Sequence, residues 1–242
     1  MAPVLGYLAV RGLGQPIRYL LAYIGIDFEE RRYSDTQDQK WLDEKFNLGM
    51  DLPSLPYYID DEVKLSQSNS IMRYLANQHG LAGDTLEDSG RADMYAQDLM
   101  DLRGGLSRTA FSHAFDEAKE AHIKQLKYKL AQYEAILKDN DWFLGDKLSY
   151  VDFLAYEFLI NHKMFDSSSF YDFTEVNDFL NRFEKIPQIK RYLRSDKYIR
   201  WPVLPVSAKW GGKPEENPFN KSDPRDEEIS SPRLTPPFGP NL

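Results

Sequence analysis

The chain contains no cysteine. Disulfides, thiolate metal sites and a nucleophilic protein thiol are excluded together, and the absence fits a reducing compartment. Histidine is scarce: His79, His113, His122 and His162 show no compact ligand spacing such as HxxxH, so no metal site is expected. No run approaches the ~20 apolar residues of a membrane helix. The opening MAPVLGYLAV lacks a basic segment before an apolar stretch, so no secretory signal is expected. Base is outweighed by acid, with 30 Lys and Arg against 38 Asp and Glu and a formal charge of −8. That balance argues against a nucleic-acid partner, though a local basic pocket for a small anion stays open. Neither a GxxxxGK phosphate loop nor a GxSxG nucleophile turn occurs.

What is present divides into three stretches. Residues 1–82 alternate between strand and helix signals. Val4–Val10 is a short apolar run that predicts a strand, broken by Gly12 and Gly14. Pro16 suits the first turn of a helix, where its missing N–H would be unpaired anyway. Ile17, Leu20, Leu21 and Ile24 follow at helical spacing, with Gly25 as a helix stop. Phe28–Tyr33 predicts a second strand and Trp41–Phe46 a short helix. Tyr57–Ile59 and Val63–Leu65 predict a hairpin about Asp60-Asp61. Ser66-Gln67-Ser68 leads into a helix over Asn69–His79, closed by Gly80. The order is βαβ, then ββα.

Residues 83–212 carry helical signals alone. Ile123, Leu126, Leu130, Tyr133 and Leu137 form one stripe of a long amphipathic helix. Ser149 and Asp152 make a capping box, with Leu148 and Phe153 as its hydrophobic staple. Helices are also predicted over Val176–Lys185 and Gln188–Leu193, with Pro187 between them. Gly104-Gly105 lies inside a predicted helix, where each glycine costs ~1 kcal/mol relative to alanine and invites a local kink. Residues 213–242 hold half of the prolines, mixed with Glu, Asp, Ser and Asn. Such a segment buries too little apolar surface to offset its ordering entropy, so a disordered tail is expected there. PRLTPPFGP, from Pro232 to Pro240, leaves open a proline-rich motif for a partner.

A thioredoxin-like α/β unit followed by an all-helical, all-α unit is a known plan, and particular residues sharpen it. Pro3-Val4-Leu5-Gly6-Tyr7 and Arg11-Gly12-Leu13-Gly14-Gln15-Pro16-Ile17-Arg18 open the match. Trp41, Lys45-Phe46-Asn47-Leu48-Gly49, Leu52-Pro53-Ser54-Leu55-Pro56-Tyr57-Tyr58-Ile59-Asp60 and Leu65-Ser66-Gln67-Ser68 continue it. Ile71-Met72-Arg73-Tyr74-Leu75, the box at Ser149, Ile186-Pro187-Gln188-Ile189, Tyr192-Leu193 and Lys197-Tyr198-Ile199-Arg200-Trp201-Pro202 complete it. Over about residues 3–212 the chain resembles the mu-class glutathione transferases, most of all those of invertebrates including parasitic flatworms.

That resemblance implies conjugation of reduced glutathione to hydrophobic electrophiles, a detoxification activity. Glutathione serves as co-substrate, and no further cofactor is expected. A free thiol has a pKa of ~8.5, so little of it is thiolate at neutral pH. A weakly acidic hydrogen-bond donor aimed at the sulfur corrects this, and a tyrosine hydroxyl meets the need. The resemblance gives that role to Tyr7; by composition alone it is one of fifteen tyrosines. It implies a cis proline at Leu55-Pro56, with the Leu55 backbone, beside Ser54, meeting the cysteinyl part. Gln67 and Ser68 would take the γ-glutamyl end at a helix start, where backbone N–H groups attract carboxylates; simple capping by Ser68 is compatible. Trp41 and Lys45 would meet the glycyl end, although a surface lysine beside a packed tryptophan reads the same way. Asp101 would reach the γ-glutamyl amine of the partner subunit in a homodimer; by itself it is a solvated helical carboxylate.

Leu13, Arg103, Ser107 and Phe111 would line the electrophile site. The last three recur every four residues, a spacing that serves a helix-packing seam equally well. Leu52 stands where an apolar key enters the neighbouring subunit, and Arg73 where an arginine lies near the two-fold axis. Leu8 replaces a usual tryptophan, which implies weaker glutathione binding. Ser54 replaces a commoner asparagine. Phe111 replaces a tyrosine, which implies slower reactions where acid assistance is needed. The competing readings are a ligand-binding carrier with little turnover and a protein that works through its proline-rich end.

Overall fold

The computed structural model describes residues 2–220. Its centre begins with Val4–Leu8, apolar and buried along its whole length, which forms strand β1. A right-handed turn of helix α1 (Gln15–Ile24) carries the chain to β2 (Glu29–Tyr33), which pairs parallel with β1. Helix α2 (Gln39–Glu44) starts two residues before the expected span because Asp38 accepts from the Lys40 N–H at 2.9 Å. Strands β3 (Tyr57–Ile59) and β4 (Lys64–Ser66) pair antiparallel. Asp60 holds the turn, accepting from the N–H groups of both Glu62 and Val63 at 2.8 Å. The sheet order is β2-β1-β3-β4, and α3 (Ser68–Gln78) follows.

Helices α4 (Leu86–Ala110), α5 (Phe115–Leu137), α6 (Tyr150–Phe165), α7 (Thr174–Lys185) and α8 (Pro187–Leu193) complete the architecture. Pro187 is the first residue of α8 rather than a break before it. The capping box forms as the sequence suggests, with the Ser149 N–H donating to Asp152 at 2.7 Å. Helix α6 is buried on nearly every side and packs against α1, α4 and α7, the position of a helix that is apolar all round. One core cluster runs from Leu5 and Leu20 through Leu126 and Phe158 to Phe183, so both halves share it.

Helix α4 runs through Gly104-Gly105 with no break. Gly105 is used for close approach: a Cβ there would stand 2.8 Å from His122 of α5. Of the expected disordered tail, residues 213–242, the part from 221 on lies outside the described residues. Pro214–Glu216 and Pro218–Asn220 are short 3-10 turns. The Glu216 carboxylate accepts from the Gly211 N–H at 2.8 Å, the Trp201 indole donates to the Lys213 carbonyl at 3.1 Å, and Arg200 lies 4.6 Å from the Phe219 ring centroid. These local polar and aromatic contacts join residues 211–219 to Arg200 and Trp201. The PRLTPPFGP stretch lies outside the described residues.

Candidate functional site

Tyr7, near the end of β1, is 6 % exposed. Its hydroxyl oxygen accepts from the Leu13 N–H at 3.0 Å, and its own proton has no acceptor among the described residues. Gly12 and Gly14 make the space for this ring. Gly12 has φ +43°, and a Cβ there would come within 2.5 Å of the hydroxyl; one on Gly14 would come within 2.5 Å of the ring. The Arg18 guanidinium lies 5.9 Å from the ring centroid, fixed by Glu30 at 2.5 Å and by the Val10 carbonyl at 2.9 Å.

The loop that carries Leu13 is anchored across the molecule. Arg11, 1 % exposed, makes a bidentate pair with Glu157 of α6 at 3.0 and 2.7 Å. Asn161 donates to the same carboxylate at 2.9 Å. The backbone N–H groups of Arg11 and Gly12 donate to the carbonyls of Pro202 and Val203 at 2.9 and 3.0 Å. Removing one partner of such a buried pair costs ~3–5 kcal/mol, because the other charge is stranded. Sequence reasoning passed over Glu157, yet a signal was there: a glutamate amid the apolar run of α6 requires a buried partner.

Loops and helix starts carry the other expected residues of the N-terminal half, and Trp41 and Leu55 pack in one cluster with Tyr7. The Leu55-Pro56 bond is cis. The Leu55 backbone is free of hydrogen bonds among the described residues, and Ser54 beside it is half-buried. Gln67 takes φ +69°, a left-handed conformation rare for a residue with a side chain. It is the N-cap of α3 and makes no side-chain cap, so Ser68 is the first helical residue rather than the cap. The first N–H groups of α3 thus have no intrahelical partner. Trp41 stacks on Tyr57 at 6.0 Å within a second buried cluster. Its indole N–H has no acceptor among the described residues, and the Lys45 ammonium, 5.9 Å from the Trp41 ring, has no carboxylate there. Leu8 fills this same cluster at 8 % exposure.

Arg103 and Ser107 lie on α4 and Phe111 caps its end, the first two half-buried and Phe111 45 % exposed. Arg103 lies close enough to Tyr7 and Glu157 to feel both; burial still pulls its pKa below the usual arginine value. A further cluster at the end of α4 was missed from sequence. Val203, Leu204 and Ala208 pack on Ala110 at the end of α4, joined by Met164, Trp201 and Trp210. The Lys209 N–H donates to the Ala110 carbonyl at 2.6 Å, tying this strap to α4.

Three expected residues lie elsewhere in the chain. Asp101 is exposed and lines a cavity of about 600 Å³ between α4 and α5, together with Arg108 and His122. Leu52 is 71 % exposed on a loop fixed by the Ser66 hydroxyl, which donates to its carbonyl at 2.5 Å. Arg73 pairs with Asp93 at 2.6 Å, and Tyr150 donates to the same oxygen at 2.8 Å. Among the described residues no group of His, Asp and Glu could hold a metal ion, and no helix is long and apolar enough to cross a membrane.

Comparison with known proteins follows the same division. The N-terminal domain of glutathione S-transferases matches residues 3–77, and their C-terminal domain matches residues 100–196. The chain is 42 % identical over 212 residues to the class-mu 26 kDa isozyme 51 of Fasciola hepatica, covering 88 % of this chain and 97 % of that one. It is 40 % identical over 218 residues to Glutathione S-transferase Mu 1 of Bos taurus, covering 88 % and 100 %. Among solved structures, the glutathione S-transferase Blo t 8 superposes with a TM-score of 0.80 at 35 % identity, over 86 % of this chain and 99 % of that one.

Proposed function

We propose, for a chain that belongs to the glutathione S-transferase family and within it to the mu class, that it conjugates glutathione to hydrophobic electrophiles with Tyr7 holding the sulfur as thiolate. The observation that carries this reading is the state of the Tyr7 hydroxyl. The Leu13 N–H occupies its acceptor side, and its proton is unclaimed. A donor so polarised, nearly buried and beside two glycines, stabilises an anion that arrives in front of it.

The other groups fall into place around that sulfur. The Leu55 backbone pairs with the cysteinyl amide, with Ser54 alongside. The start of α3, at Gln67 and Ser68, takes the γ-glutamyl carboxylate. The Trp41 indole and the Lys45 ammonium, both without acceptors in the chain, take the glycyl carboxylate. Leu13, Arg103, Ser107 and Phe111 hold the electrophile. Residues 1–82 act as the glutathione-binding domain and the helices after them as the electrophile domain. The chain works in the cytoplasm as a homodimer and needs no cofactor beyond its co-substrate. Leu52, and with it Phe46 at 79 % exposure, enters the neighbouring subunit. Arg73 lies near the two-fold axis, and Asp101 completes the partner's glutathione site.

The test is the ultraviolet absorbance of the bound thiolate, titrated against pH. A thiol pKa well below that of free glutathione is the expected result. An unshifted pKa at saturation would sink the thiolate role of Tyr7 and leave a ligand carrier of the same fold.

A further inference from the structure

His122 of α5 is 7 % exposed and meets His162 of α6, which is fully buried. Geometry fixes their protons. The His162 Nδ1 lies 2.6 Å from the Phe158 carbonyl, which can only accept, so Nδ1 carries the proton and Nε2 is a lone pair. That lone pair takes the His122 Nε2–H at 3.0 Å. The remaining nitrogen, His122 Nδ1, is therefore an unprotonated acceptor, and no described residue donates to it. Burial, with Arg108 nearby, lowers the pKa of this ring to about 4, so Nδ1 stays an acceptor at neutral pH.

The nitrogen is open to the 600 Å³ cavity between α4 and α5, which both His122 and Gly105 line. A Cβ on Gly105 would stand 3.0 Å from it, so the missing side chain leaves that space clear. The buried side-chain polar atoms without a partner are the Oδ1 atoms of Asn69 and Asn161 among the described residues; His122 Nδ1, equally without a donor, is reached by solvent. Arg108 bends over the same glycines, its Nη1 3.1 Å from a Cβ on Gly104 and its Nη2 4.0 Å from one on Gly105. It makes no hydrogen bond or ion pair with a described residue. Lys129, the other cation of the lining, is held by Asp98, and Asp101 stands one turn before Gly105. An acceptor and a planar donor fork thus flank one glycine, and Ala118 and Ala121 of α5 add small side chains to the lining.

We infer that this cavity is a separate ligand site for an aryl carboxylate that bears a phenolic hydroxyl, the carboxylate meeting Arg108 and the hydroxyl donating to His122 Nδ1. Each half of that chemistry answers one group. A neutral imidazole nitrogen needs a donor, and a guanidinium without a partner needs an anion, which it takes in a bidentate grip. Gly105, Ala118 and Ala121 leave room for a flat ring between them. A purely apolar ligand would leave both groups unmet. Apart from Asp101, the lining shares no residue with the glutathione and electrophile sets, so the inference stands whether or not the transferase reading does.

The test is calorimetric titration of the full chain with 4-hydroxy-2-naphthoate and with its methyl ether, with and without saturating S-hexylglutathione. The ether, which cannot donate, should bind ~5- to 10-fold more weakly than the phenol, the worth of one hydrogen bond. Arg108→Met should weaken both by ~10-fold, and Ala121→Phe, an exposed position that fills the cavity without touching the histidine pair, should abolish binding. In His122→Phe the two naphthoates should bind equally, because the acceptor that tells them apart is gone. Should that variant fail to fold, Arg108→Met and Ala121→Phe decide the matter. S-hexylglutathione should not displace the naphthoate. No saturable binding by the parent, equal binding of phenol and ether to it, binding that survives both Arg108→Met and Ala121→Phe, or displacement by S-hexylglutathione would each overturn the proposal.

Discussion

The residues proposed to hold glutathione and those proposed to hold the electrophile are built differently. The side given to glutathione is made of backbone: a loop before a cis proline, a left-handed Gln67, a helix start and two glycines against a phenol ring. The set proposed for the electrophile is made of side chains on α4, and a C-terminal strap packs on the end of that helix through local hydrogen bonds. Backbone geometry recognises one fixed ligand, since few substitutions can move it. Side chains on a single helix face can be exchanged without disturbing the fold. If the proposed assignment holds, one set suits an invariant thiol and the other varied acceptors.

The joint between the halves is the place to break this contrast. Arg11 comes from the glutathione side and Glu157 from the helical side, and the pair is buried. Arg11→Met should cost ~3–5 kcal/mol of unfolding free energy, because Glu157 is left charged in the core. Chemical denaturation with activity followed in parallel checks this. If the halves are coupled through Arg11, glutathione and electrophile KM values should both worsen before the protein unfolds.

Tyr7→Phe separates binding from activation. The ring and its packing against Gly12 and Gly14 remain, and only the donor goes. Turnover should fall ~10²-fold or more, as for loss of one preorganised donor. The glutathione KM should change little, since its carboxylates bind elsewhere. A KM that rises while kcat holds would mean that the hydroxyl contributes binding alone.

Acid should expose the helical half. The His162 Nδ1 lies 2.6 Å from the Phe158 carbonyl and must donate to it, so its Nε2 accepts from the His122 Nε2–H at 3.0 Å. Burial, aided for His122 by nearby Arg108, lowers the two pKa values to about 4 for His122 and about 3 for His162, from 6.5. The unfolded chain binds protons that the native pair refuses. The stabilisation is complete above pH 6.5 and is lost as pH falls toward 4 and then 3, at up to ~1.4 kcal/mol per pH unit for each ring. Asp152 acts in the opposite sense: burial raises its pKa to about 6, so its contribution is present at low pH and is lost as pH rises through 6. Unfolding curves at pH 7 and 5 should show a larger loss in the parent than in a His122→Gln variant.

Much of this molecule is legible in its sequence, and the limit is physical. Strands, helices and the box at Ser149 are local, so period and capping chemistry reveal them. Tyr7, Leu55 and Gln67 come from a resemblance, since one tyrosine among fifteen carries no local mark. The pairing of Arg11 with Glu157 spans 146 residues. The left-handed Gln67 has no glycine to announce it. The strap over Ala110 is held by carbonyls and N–H groups, which every sequence has.

The end of the described chain gives the smallest effect and the finest test of the contrast. Glu216 accepts from the N–H groups of Gly211 and Lys213, at 2.8 and 3.3 Å, and the Gly211 carbonyl accepts from Val203 and Leu204 at 2.8 and 3.0 Å. Deletion of residues 213–242 removes Glu216 and the Trp201 anchor while leaving Tyr7, Leu55 and α3 untouched. Each lost charge-assisted or indole hydrogen bond costs ~1 kcal/mol, so the strap should loosen without the fold failing. Electrophile KM should rise ~2- to 5-fold, the change expected from about 0.5–1 kcal/mol of lost packing. Glutathione KM should hold. An equal rise in both constants would mean that the strap supports the Tyr7 loop, through Arg11 and Gly12, as much as it walls the acceptor. The side chains of the electrophile face would then be less independent of the glutathione frame than their construction suggests.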